Sequence, residues 1–74
     1  MTVSQLIEQL KNYTSDLPVV ISGYEGGYND VDTVETIKIV RDHNKAWYFG
    51  KHEDAADIYD EELIKNAVEA LCVH

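Results

Sequence analysis

Gly23, Gly26 and Gly27 interrupt the first half of this chain so firmly that no helix or strand is expected to run through it. Glycine enters positive-φ conformations without the steric cost of a Cβ, and the neighbouring Asn29 and Asp30 tolerate turns. Gly23-Tyr24-Glu25-Gly26-Gly27-Tyr28-Asn29-Asp30 therefore reads as a loop, and the fold must be built from the segments on either side.

Before the loop, Thr2 followed by Gln5 has the spacing of a capping box. Val3, Leu6, Ile7 and Leu10 recur at helical spacing, which predicts an amphipathic helix over 3–12 with Tyr13 extending its apolar stripe. Pro18 biases Leu17 towards extended geometry, and Leu17–Ile21 reads as a short strand with Pro18 at its start or on an edge. After the loop, Val31–Val40 favours a strand, with Val31, Thr33, Glu35, Ile37 and Ile39 on one side. The alternation is imperfect, which suggests a bulge or two partly buried faces. Asp42–Lys45 is a polar turn signal and Ala46–Phe49 a short aromatic strand, so 33–50 reads as a hairpin. Leu63, Ile64, Ala67, Val68, Leu71 and Cys72 predict a second helix from Asp57 or Asp60 to Val73. The expected fold is thus a single α+β domain over 1–74, in the order α-β-β-β-α. Its simplest packing is an antiparallel three-stranded meander with both helices on one face.

A chain of 74 residues has a thin core, burying only about 60% of the surface its unfolded form exposes. Hydrophobic residues make up 45%, enough to pack and too many for a disordered tail. Cys72 is the only cysteine, which excludes an internal disulfide and fits a reducing compartment. Its place in an apolar pattern, without a nearby cation, reads as a small buried thiol. No apolar run approaches the ~20 residues that span a bilayer, and the N-terminal residues lack the basic and apolar regions of a signal peptide. A cytoplasmic location is expected.

The formal net charge is −8, from 14 acidic and 6 basic side chains. Such a field repels phosphates, which argues against direct nucleic-acid binding and against an anionic membrane face. Six of the acids (Glu53, Asp54, Asp57, Asp60, Glu61 and Glu62) and three more (Glu25, Asp30 and Asp32) lie in two stretches without a cation. Lys38, Arg41, Lys45 and Lys51 fall between them. A solvated surface with a favourable helix start is the plainer account of this distribution; the alternative is a face for a basic protein partner.

Motifs with defined chemistry are missing. The glycines follow neither the dinucleotide nor the phosphate-loop pattern. Asn29, Asp30 and Asp32 lack the turn glycine and terminal Glu of a calcium loop. His52-Glu53 opens like a zinc-protease helix, but Ala56 stands where the second His belongs. His43 and His52 read as loop histidines, and His74 is expected to fray. The carboxylates fall in loops or at a helix start, where burial does not raise their pKa for acid–base work, and no nucleophile elbow surrounds a serine. The expectation is no enzyme, no metal and no cofactor.

Tyr24 and Tyr28, set among glycines and short polar residues, have the composition of a binding paratope. The alternative is that both rings fold back as a lid over the thin core. Partner binding is assigned to Tyr24, Glu25, Tyr28, Asn29, Asp30 and Asp32. Trp47, Tyr48 and Phe49 form a second candidate, a ligand or dimer surface, because an aromatic patch on a small core suggests a homodimer.

The stretch Leu17-Pro18-Val19-Val20-Ile21-Ser22-Gly23-Tyr24-Glu25-Gly26-Gly27-Tyr28-Asn29-Asp30, together with Met1-Thr2-Val3, Leu6-Ile7 and Leu10, resembles short uncharacterised proteins of bacteria, phages and mobile gene cassettes. The resemblance covers about the first 30 residues and is looser beyond them. It carries no catalytic residue, and it implies a bacterial mobile-element setting and an accessory role. The expected function is a protein-interaction module using the Tyr24–Asp32 loop. The alternative is a binder of a small cationic ligand in an aromatic, acid-lined cavity.

Overall fold

Helix α1 spans Val3–Leu10. Its start is fixed by the expected capping box: the Gln5 N–H donates to Thr2 Oγ1 at 3.2 Å, and the Thr2 N–H donates to Gln5 Oε1 at 2.7 Å. The computed structural model describes all residues from 1 to 74. Contacts within the chain group into two units, residues 1–34 with 73–74, and residues 35–72.

The first unit holds α1 and a β-hairpin. Strand β1 (Val20–Ser22) pairs antiparallel with β2 (Tyr28–Asp30), placing Val20 opposite Asp30, Ile21 opposite Asn29 and Ser22 opposite Tyr28. Pro18 lies just before β1, where its missing N–H costs no ladder bond. Ile21 is half-buried, and no residue of this unit is buried. The C-terminal His74 joins the same unit. Its N–H donates to the Thr33 carbonyl at 3.0 Å, and its carbonyl accepts from the Asp32 and Thr33 N–H groups at 2.8 and 2.6 Å. His74 is therefore tied down by a mutual antiparallel pair with Thr33 rather than frayed.

Apart from its end residues Val34 and Val73, a three-stranded sheet ordered β4-β3-β5 belongs to the second unit, with β3 (Val34–Val40) at its centre, β4 at Glu53–Asp54 and β5 at Val68–Val73. A 3₁₀ turn (Ala55–Asp57) and a one-turn helix, α2 (Glu61–Ile64), connect β4 to β5. The core is confined to Val40 and Ile58, both buried, with Ile37, Ile39, Val68, Ala70 and Cys72 half-buried around them. Val40 lies on the face of β3 opposite Ile37 and Ile39, so the uneven alternation reflects burial on both faces.

The α+β class holds: two helices accompany antiparallel sheets of two and three strands. The arrangement differs from the α-β-β-β-α meander in three places. The glycine loop is shorter than its composition suggests, because Tyr28–Asp30 pairs with Val20–Ser22 to make a hairpin. The aromatic run is not a strand. The Phe49 N–H donates to the Ala46 carbonyl at 3.2 Å, closing a turn, and β3 pairs instead with Glu53–Asp54, Ile39 opposite Asp54 and Val40 opposite Glu53. The second helix stops at Ile64. Val68, Ala70 and Cys72 satisfy a two-residue period as well as a helical one, and the sheet edge of β3 decides between them. The acidic residues do start the helical turns: Asp54 Oδ1 accepts from the Ala56 N–H at 2.9 Å, and Asp60 Oδ1 from the Glu62 N–H at 3.0 Å.

Candidate functional site

The β1–β2 hairpin turns through Gly23–Gly27. The Gly23 N–H donates to the Gly27 carbonyl at 2.9 Å, and Glu25, Gly26 and Gly27 have φ of 61°, 124° and 67°. Three consecutive residues at positive φ are what fold the tip back within so short a connection. The side-chain-free Gly23 allows the close approach, since a Cβ there would lie 2.6 Å from the Gly26 carbonyl oxygen.

This turn decides where the tyrosines go. Tyr24, at the tip, is 94% exposed, and Tyr28, the first residue of β2, is 75% exposed. Neither ring folds back as a lid. Strand alternation puts Tyr28 and Asp30 on one face of the hairpin and Asn29 on the other, with the half-buried Ile21. Glu25 and Asp32 are also exposed, and the Asp32 backbone is anchored by its bond to His74. The six residues assigned to partner binding thus share one hairpin and the segment that follows it. The tyrosines and acids are accessible on a backbone held at both ends.

The second candidate lies in residues 41–52 of the other unit. The Asn44 N–H donates to the Lys51 carbonyl at 3.0 Å, and Asn44 Nδ2 donates to the Gly50 carbonyl at 2.9 Å. Below this closure, Asp42 adopts a φ of 55°, and its N–H donates to His52 Nδ1 at 3.0 Å. That bond requires His52 to carry its proton on Nε2. Lys45 Nζ donates to the Asp42 carbonyl at 2.8 Å. The result is a pinched loop with its aromatic residues at the tip: Trp47 is 92% exposed, Tyr48 67% and Phe49 60%. The rings support one another, with Trp47 and Tyr48 edge-to-face at 5.6 Å and Tyr48 and Phe49 tilted at 5.0 Å.

A third feature was not singled out by the sequence. An open cleft of about 700 Å³ lies in the first unit, lined by Ile7 and Leu10 of α1 with Tyr13, Leu17, Val19 and Val20. The helical period marks Ile7 and Leu10 as apolar-face residues, but periodicity says nothing of what covers that face. The cleft lining includes no carboxylate, so it is not the acid-lined cavity expected for a cationic ligand. No three His, Cys, Asp or Glu side chains come together in a way that could hold a metal ion. No helix is long and apolar enough to cross a membrane. No protein-family model, curated protein or solved structure matches the chain.

Proposed function

We propose that this chain is a non-catalytic protein-interaction module, an accessory protein whose contact surface is the hairpin from Tyr24 to Asp32. The observation that carries the reading is the exposure of Tyr24 and Tyr28 on a tip whose backbone is already constrained. A surface ordered before binding loses less conformational entropy when it docks. Tyrosine adds a large contact area for two side-chain torsions and a hydroxyl that fixes orientation. Glu25, Asp30 and Asp32 give that surface a negative rim with no cation among residues 24–32, which selects a basic partner and makes association salt-sensitive. The resemblance of the first 30 residues extends the reading to a bacterial mobile-element or phage setting in the cytoplasm.

The test is capture of partners from bacterial lysate on the tagged chain, beside a Tyr24→Ala, Tyr28→Ala variant. A basic protein enriched by the unaltered chain, released by rising salt and lost from the variant is the expected outcome. Equal retention by the variant removes the hairpin from the account.

A further inference from the structure

The cleft beside α1 differs in charge from the acidic unit that contains it. Its lining comes entirely from residues 7–20 of the first unit, so it needs nothing from the rest of the chain. We infer that it is a binding site for a small amphipathic anion, an apolar body bearing one carboxylate-type head group. Apolar contact along the cleft holds the body, and Lys11 takes the head. The site is separate from the tyrosine hairpin, so either reading can fail without the other.

Size and lining fit a small molecule. Ligand pockets typically enclose about 300–1,000 Å³ and are mostly apolar, with a few polar groups that fix orientation. This cleft encloses about 700 Å³. Ile7 and Leu10 of α1 and the segment from Leu17 to Val20 leading into β1 supply most of its apolar lining. The polar lining is confined to Lys11, Thr14 and Ser15, which fall together on the connection between those two segments. That connection is already bonded: the Tyr13 N–H donates to the Leu10 carbonyl at 3.1 Å, and the Leu17 N–H to the Thr14 carbonyl at 3.3 Å. A site ordered before binding loses less entropy when it is filled.

The sign of the ligand follows from Lys11. It is the only Lys or Arg among residues 1–34, which also hold Glu8, Asp16, Glu25, Asp30 and Asp32. The cleft lining includes Lys11 and none of those acids. A cationic ligand would meet an ammonium and no carboxylate, and a neutral one would leave the ammonium unused. The net charge of −8 does not reverse this, because charges beyond a Debye length of about 8 Å are largely screened at physiological ionic strength. Lys11 Nζ does donate to Glu8 Oε1 at 2.8 Å. Both side chains are mostly exposed, which makes that pair weak. An ammonium has three donors, and Glu8 engages one. Two remain for a head group, with Glu8 as a competitor just outside the lining.

The experiment titrates the isotope-labelled full chain with decanoate, decanol and decyltrimethylammonium, read from amide shifts by nuclear magnetic resonance. Decanoate is expected to bind saturably, one per chain, with the largest shifts in residues 7–20. It should bind about 3-fold or more tightly than decanol, the factor an exposed ion pair supplies, and the cation should bind most weakly. Lys11→Gln should lower decanoate to the affinity of decanol and leave decanol unchanged. Glu8→Gln, which removes the competing carboxylate, should tighten decanoate about 2-fold or more. Both positions are exposed, so neither change threatens the fold, and unchanged shifts in the second unit verify this. Leu10→Gln keeps a good helix former and removes an apolar contact, and should weaken decanoate and decanol alike, by about 5-fold. Phenylpropionate carries the same head group on an aromatic body, and the tighter of the two acids assigns the body. No saturable shift from either acid overturns the inference. So do shifts centred on Trp47–Phe49, decanol or the cation binding as tightly as decanoate, or decanoate binding indifferent to Lys11→Gln.

Discussion

At Gly23 one added methyl group runs into backbone. The Gly26 carbonyl oxygen would lie 2.6 Å from its Cβ, and because that neighbour is backbone, relief requires the hairpin tip to open. Gly23→Ala is expected to destabilise the protein by about 1–3 kcal/mol, as forced overpacking does. Gly50 is the control, since a Cβ there meets nothing within 4 Å and its φ lies outside the positive range. Gly50→Ala should change stability by less than about 0.5 kcal/mol. Urea unfolding of the two variants checks the contrast; equal effects would mean that the tip is not closed as described. The residue scale is also where the sequence was most legible. Gly23, Gly26 and Gly27 announced a turn, and Thr2 with Gln5 announced a helix start. Each signal is local and needs no partner elsewhere in the chain.

At the scale of elements, legibility depended on whether the decisive bonds were local. Helix α1 carries its own capping box and stands where its spacing placed it. The segment 60–73 has apolar residues that suit both periods, and what decides between them is the edge of β3, which ends 20 residues before that segment begins (60 − 40). The aromatic run failed for a related reason. Its composition favours a strand, but Asp42, Asn44 and His52 close the chain around it, and a turn results. Glu69, exposed within β5, distinguishes strand from helix by sign. Threonine is favoured in strands on a scale spanning ~1 kcal/mol, and is less helix-favouring than Glu by a few tenths of a kcal/mol. Glu69→Thr should therefore raise the urea midpoint slightly. A lowered midpoint would argue for the helix.

Across the whole molecule, side-chain burial is confined to Val40 and Ile58. With so few buried residues, neighbouring positions should differ sharply in what they contribute. Ile58→Ala is expected to cost about 2–5 kcal/mol, the usual range for deleting a buried aliphatic side chain, and to unfold much of a protein whose total stability is of that order. Tyr59→Ala, at a residue 94% exposed, should change stability by about 0.5 kcal/mol or less. Thermal melts of the two report whether the core is where the structure puts it. At this scale the sequence was least informative. Its apolar content was evident, but the face that α1 leaves uncovered is set by packing, and apolar pattern alone does not separate a core residue from an interface residue.

The central claim is that the tyrosine hairpin is the surface that meets a protein partner. The most direct measurement replaces Tyr24 with a photo-crosslinking phenylalanine analogue and, in a separate chain, does the same at Tyr59, which is equally exposed but lies outside the hairpin. On irradiation in bacterial lysate, the account predicts a discrete crosslinked adduct from position 24, reduced by high salt and missing from position 59. A crosslink from position 59 with none from position 24, or equal yields from both, would contradict it.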